Sequence, residues 1–295
     1  MNLITRIRSL FNNKVPNNTS PKLVGSLTIT ITDKTGSGFD ELVRPLSQEI
    51  LAGADDLCDI PKTLTIIVTD NIGKDAYDLT GQIGKKDLIP TSYNGYNGCI
   101  VLPEDFMGTD FKALINSELF KDQLYINTVA HELQHIVDFL KYFQRYGNVF
   151  ASGEFSKCHL FFYYEFHIWT EFNAKKRGLL RYLDHFPLAD RPAFNLQAQC
   201  TTFINDRTFN DDWLKTVYEL THLYARLSIY DKGTLNFPES EYPSSSVNYY
   251  YGEASRRLYS LLRQCETFED FKENKQLLKN ILNSIYGHIK PRQGQ

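Results

Sequence analysis

"TVAHELQHIVDF", residues 128–139, decides how the chain is to be read. Val129, Ala130, Leu133, Ile136, Val137 and Leu140 form a broad apolar flank with helical spacing. The segment therefore reads as a packed helix and not an exposed loop. His131 and His135 are four residues apart, so one helical turn stacks them on the same face. Both imidazoles can then reach a single ion held at about 2 Å. Glu132 follows His131 and is rotated about 100° around the axis. It stands beside the ion rather than on it, where a general base must stand to take a proton from water. H-E-x-x-H on a helix is a short motif with that mechanism behind it. The competing reading is a pair of surface or hydrogen-bonded core histidines.

A catalytic zinc takes three protein ligands and leaves one position open. The metzincin pattern, with every ligand on one segment, would place glycine at 138 and histidine at 141. The chain has Asp138 and Lys141, and Asp138 lies too far along the helix to close the site. The next helical stretch, "FFYYEFHIWTEFNAKKRGLLRYL" (161–183), offers Glu165, His167 and Glu171. Glu171, Ala174 and Gly178 share one face, and His167 joins that stripe one turn earlier. Ala174 and Gly178 have almost no side chain, so this face can approach another helix closely. The inference is that it packs on the HELQH helix and delivers Glu171 to the metal. Glu165 points elsewhere, and His167 becomes a neighbour of the ligands or a substrate-side group.

His131-Glu-Leu-Gln-His135, followed by "WTEFNAKKRG" (169–178), resembles the gluzincin group of zinc metallopeptidases. The resemblance rests on motifs within about residues 95–183 and implies a zincin-like fold. It implies zinc bound by His131, His135 and Glu171, with Glu132 as general base. Many gluzincins carry an aspartate four residues after the ligand glutamate, where this chain has Lys175. The supporting carboxylate must then come from elsewhere. In the zincin arrangement an edge strand pairs with the bound peptide. "NGCIVLP" (97–103) lies where the resemblance would put it, making Gly98, Cys99 and Ile100 substrate-side residues. Gly98 would let a substrate backbone come close; the competing reading is a plain edge or core strand. Several gluzincins supply an oxyanion donor from a Y-x-x-G helix start. "NYYYGEASRRLYSLL" (248–262) puts Tyr249 at the matching spacing, among 18 tyrosines in the chain.

The chain has 295 residues, enough for one large domain or two small ones. With 42% hydrophobic and 23% charged residues it has the composition of an ordinary globular protein. Aromatics at 14% suggest ring-rich helix packing or a groove lined by rings. A net charge of −3 argues against nucleic acid as a partner. Cys58, Cys99, Cys158, Cys200 and Cys265 are odd in number and scattered, which reads as reduced thiols. The first residues contain no uninterrupted apolar core of a secretory signal, and no run reaches the ~18 apolar residues of a transmembrane helix. A cytoplasmic location is expected, with specialised export compatible.

Period-two alternation marks a strand in "LVGSLTITITD" (23–33), and "TLTIIVTD" (63–70) is a second. "FDELVRPLSQEILAGADDL" (39–57) reads as a helix with Pro45 a kink or restart. A polar stretch (76–98) precedes "CIVLP" (99–103), and helical periodicity then runs from Leu114 to Gly147. "DDWLKTVYELTHLYARLSIYDKG" (211–233) is another helix, and one or two more close the chain. His159, His185, His222 and His288 look isolated, and "KKRG" (175–178) looks like a solvated helix end. The expected class is α+β. Residues 1–22 form a tail or linker, 23–147 a zincin-like subdomain and 148–295 a helical subdomain carrying the third ligand. The function expected is zinc-dependent hydrolysis of a peptide or protein substrate. The alternatives are a zincin-fold binding or regulatory protein of little catalytic power, and an exported effector protease.

Overall fold

The computed structural model describes residues 25–81, 96–105, 107–149, 160–185, 213–230 and 253–289. Among them lie four strands and seven helices. The order is β1 (Leu27–Asp33), α1 (Asp40–Ile50), β2 (Lys62–Thr69), α2 (Ile72–Gly81), β3 (Gly98–Val101), β4 (Asp110–Asn116), α3 (Tyr125–Tyr146), α4 (Tyr163–Asp184), α5 (Trp213–Tyr230), α6 (Glu253–Gln264) and α7 (Phe268–Ile289). The 1–22 segment and residues 82–95 of the polar stretch lie outside the described residues. The result is a mixed α/β arrangement, mostly helical, around a small sheet.

The sheet order is β1-β2-β4-β3. β1, β2 and β4 run parallel, and β3 is an antiparallel edge strand on β4, with Gly98 opposite Ile115 and Val101 opposite Lys112. β4 corrects the expectation of helix from Leu114 onward. Phe111, Ala113 and Ile115 alternate into one side of the sheet while Leu114 fills the other. A strand buried on both faces has no polar alternation to announce it. Asn116 then accepts a hydrogen bond from the Glu118 N–H and turns the chain toward α3. α2 was hidden for the opposite reason: its apolar contact is small, chiefly Ile72, Ala76 and Leu79 on one side of the sheet.

The larger core lies on the other side. Leu64, Ile66, Val68, Phe111, Ala113 and Ile115 meet Val43 and Leu46 of α1 and Val129, Leu133 and Ile136 of α3. It continues without a break through α4 into α5, α6 and α7. α3 is thus shared between the sheet and the helical layer. Phe166 of α4 is fully buried in a cluster of rings, 4.2 Å from Tyr142, 5.1 Å from Phe139 and 5.7 Å from Phe271 between centroids. The indole N–H of Trp169 donates to the Cys265 carbonyl and ties α4 to the α6–α7 junction. Cys58, Cys99 and Cys265 are free thiols, while Cys158 and Cys200 lie outside the described residues. Among the described residues no helix is long and apolar enough to cross a membrane.

α3 and α4 pack antiparallel, with Asn127 and His131 facing Gly178 at one end and Phe139 and Tyr142 facing Phe166 at the other. The approach at Gly178 is close. A Cβ there would lie 2.6 Å from the Asn127 carbonyl oxygen and 3.1 Å from the His131 Cβ. Glycine in a helix interior normally costs about 1 kcal/mol relative to alanine. Here Gly178→Ala is expected to destabilise instead, by about 1–3 kcal/mol, because overpacking must push the helices apart. Urea unfolding checks this, and a stabilised variant would show that the interface relaxes freely.

Candidate metal centre

The antiparallel contact between α3 and α4 brings His131, His135 and Glu171 together. The His131 and His135 Nε2 atoms are 3.1 Å apart. Glu171 Oε1 lies 3.4 Å from His131 Nε2, and its Oε2 lies 3.3 Å from His135 Nε2. Tetrahedral ligands at 2.0–2.1 Å from a zinc ion are themselves about 3.3 Å apart. One ligand atom from each residue lies within 4.8 Å of the other two. The donor set and its spacing fit a metal of the zinc type, and the expected third ligand is the residue that converges.

The electrostatics ask for a positive charge at this point. Burial favours a neutral carboxyl at Glu171, yet His135, His131 and His222 together hold it well below its usual range. Burial pushes His131 down to about 4, against the pull of Glu171, leaving its ring neutral at pH 7. Burial also disfavours charge on His135, but Glu171, Glu132 and Asp138 outweigh it and raise that group. A proton on His135 therefore competes for the position a metal would take. The site stays open on one side, since the His131 and His222 side chains are 14% and 15% exposed against 4% for Glu171.

Asp138 provides the supporting carboxylate missing at position 175. It is fully buried and does not join the three ligands. Its Oδ2 accepts from the Thr170 hydroxyl at 2.8 Å, and Thr170 Oγ1 stands 3.0 Å from His135 Nδ1. Asn173 and Gln134 donate to the same carboxylate. Burial raises Asp138, against these three hydrogen-bonding partners. The chain His135–Thr170–Asp138 fixes the ring so that Nε2 faces the centre.

Glu132 leaves α3 toward β3. A Cβ at Gly98 would meet Glu132 Oε1 at 2.8 Å and Thr128 Cγ2 at 2.7 Å. The missing side chain at Gly98 thus makes room for this chain's own Glu132. Burial pushes the Glu132 carboxyl up to about 7, against the pull of His135. Ile100 packs with the large core. Cys99 packs on the other side of the sheet, beneath α2.

α5 contributes what the sequence reading missed. His222 Nε2 donates to Glu171 Oε1 at 2.5 Å, so His222 is not isolated. The Tyr218 ring lies 4.4 Å from the His222 ring. Burial, with the carboxylates of Glu171 and Glu132, pushes that phenol up and keeps it protonated. His167 sits one turn before Glu171, between Tyr163 and Tyr218, with its buried Nδ1 lacking a hydrogen-bond partner among the described residues. Glu165 lies away from the three ligands, near Lys279. Nor is "KKRG" a solvated end: Lys175 is half-buried and Gly178 buried. The signal for α5 was a polar stripe, Tyr218, His222 and Arg226, every fourth residue on a mainly apolar helix. Tyr249, with Tyr250 and Tyr251, lies outside the described residues, as do His159 and the His288 side chain.

No family model, curated protein or solved structure matches this chain. The geometry therefore carries the functional argument alone.

Zinc titration of the purified protein is expected to give one tight site, lost in His131→Ala, His135→Ala and Glu171→Ala. Thr170→Val cuts the hydrogen-bond chain to Asp138 and should weaken the metal about 10–100-fold. Because His135 must release its proton, affinity should fall as pH is lowered. An unchanged affinity in Glu171→Ala would remove Glu171 from the ligand set.

Proposed function

We propose that the chain is a zinc-dependent peptidase with a zincin-like arrangement, acting on peptide or protein substrates. The observation that carries this reading is the convergence of His131, His135 and Glu171 beside a buried carboxylate, Glu132, that is not a member of the ligand set. A purely structural metal site has no need of such a base. A zinc ion held by those three residues would supply a Lewis acid for the scissile carbonyl and acidify a water molecule.

The chain's own groups divide the remaining work. Glu132, raised to about 7 by burial, is suited to take a proton from the attacking water at neutral pH and pass it to the leaving amine. From α5 the His222 Nε2–H donates to Glu171 at the centre, and the protonated Tyr218 phenol stands beside it. They stand where an oxyanion donor would act, the role the resemblance assigns to Tyr249, which lies outside the described residues. β3 is a sheet edge, paired only with β4 among the described residues, and Gly98 at its start abuts Glu132. An extended peptide added to that edge would lie along the base.

Glu132→Gln is expected to keep zinc and lose hydrolysis of a peptide library, read by mass spectrometry. Retained cleavage would remove Glu132 as the base. A wild-type protein that holds zinc but cleaves nothing would favour the binding-protein reading. Tyr218→Phe and His222→Gln should each lower kcat about 10²–10³-fold with zinc content unchanged.

Gly98→Ala tests the base from a different side. The added methyl group meets both the Glu132 side chain and Thr128 Cγ2, so the carboxylate must move from its place against β3. The expected outcome is a loss of at least about tenfold in kcat, a sensitivity usual for displaced catalytic groups. Zinc content should be unaltered, and the melting temperature should fall modestly because Thr128 must also give way. Wild-type kcat in this variant would mean that Glu132 does not depend on its packing against β3.

A further inference from the structure

α4 and α5 lie side by side in parallel register. His167 faces Tyr218 with 6.2 Å between ring centroids, and Glu171 faces His222 at 2.5 Å. Both pairs are separated by 51 positions. One turn further along each helix, the same offset brings Lys175 of α4 to Arg226 of α5. Their electrostatics agree with this proximity. Burial depresses both groups, and Arg226 depresses Lys175 further. The register thus sets two cations level with each other one layer beyond His131, His135 and Glu171.

Neither cation is neutralised in the usual way. Both side chains are half-buried, and neither forms a hydrogen bond or close ion pair among the described residues. The Arg226 Nε is buried with no acceptor. Buried guanidinium N–H groups ordinarily find one. Three carboxylates act on Lys175: Glu171, Glu132 and Glu219. A divalent ion held at the centre would balance the charges of Glu171 and Glu132, leaving Glu219 as the carboxylate acting on both cations. Among the described residues this layer holds two cations and an unpaired buried guanidinium N–H, a setting that an anion would complete.

We propose that Lys175 and Arg226 form a carboxylate-binding subsite one helical turn from the metal centre, selecting peptides that carry a carboxylate close to the scissile bond. The inference rests on the peptidase reading in that it takes the ligand to be a peptide. One turn of helix is roughly 6 Å along the axis. An extended peptide advances about 3.3–3.6 Å per residue. The carboxylate therefore belongs within about two residues of the bond cleaved. Arg226 supplies a planar fork that can grip both oxygens, and Lys175 a point charge beside it. The carboxylate can come from the peptide's C-terminus or from an Asp or Glu side chain.

The test uses the full chain carrying Glu132→Gln, zinc-loaded, which should hold peptides without cutting them. Three fluorescent versions of one short peptide cleaved by the wild type are titrated by anisotropy. The first has a free C-terminus within two residues of the scissile bond. The second is its C-terminal amide. The third is the amide with Glu replacing a neutral residue in that interval. The expected result is binding at least about tenfold tighter for either carboxylate form than for the neutral amide, of the size usual for a charge-assisted pair. Preference for the first alone identifies the α-carboxylate as ligand, and preference for the third alone a side-chain carboxylate. Lys175→Met and Arg226→Gln should each erase the preference at unchanged zinc content, while Arg226→Lys retains part of it. Equal binding of the acid and amide forms, or a preference that survives both removals, overturns the subsite and leaves the peptidase reading standing. Failure of every form to bind also overturns the subsite, and a wild type that cleaves no peptide at all overturns both the subsite and the peptidase reading on which it rests.

Discussion

A carboxylate buried among imidazoles is the interaction on which the rest of the arrangement depends. Glu171 is nearly sealed from solvent, and its charge persists there only because His131, His135 and His222 surround it. An ionised carboxylate in a protein interior is costly unless it is paired and hydrogen-bonded. That requirement explains the packing around it. α3 must present two histidines one turn apart, α4 must come close enough to reach them, and α5 must close the remaining side. The small residues Ala174 and Gly178 make the α3–α4 approach possible. Phe166, Tyr142 and Phe139 lock the other end of the same pair with rings.

The polar groups around the centre are arranged in depth. Behind His135, Thr170 and then Asp138 form a hydrogen-bonded line with no exposed member, held further by Asn173 and Gln134. Ahead of it, Glu132 stands against β3 in the space left by Gly98. Buried networks of this kind are rigid when every member is satisfied. The sheet contributes by holding β3 at its edge and by supplying the apolar floor on which α3 rests. Scaffold and site are therefore not separable here. The helix that carries the histidines is also the one that joins the sheet to the helical layer.

Much of this was legible because it is local. A helix repeats every 3.6 residues, so the positions of His131, Glu132 and His135 relative to one another follow from their spacing. The close face of α4 followed from Ala174 and Gly178. What failed to show were features without a local pattern. β4 is buried on both sides and blends into the apolar start of the next element. At Gly98 the close neighbours are Thr128 and Glu132, which lie on another element. His222 looked isolated because its partner is 51 positions away. No periodicity within one helix reveals which residue of a second helix stands opposite.

By itself, then, the sequence determined the two-histidine helix, the glutamate beside it and a second helix able to come near, because backbone geometry ties side-chain direction to spacing. Tertiary structure alone decided the register between helices. Packing of apolar faces sets that register, and it depends on residues far apart in the chain. The antiparallel match of α3 with α4 brought Asp138 to Thr170 and Thr170 to His135. The parallel match of α4 with α5 set Tyr218, His222 and Arg226 against His167, Glu171 and Lys175, and so made one polar stripe into the third wall of the centre.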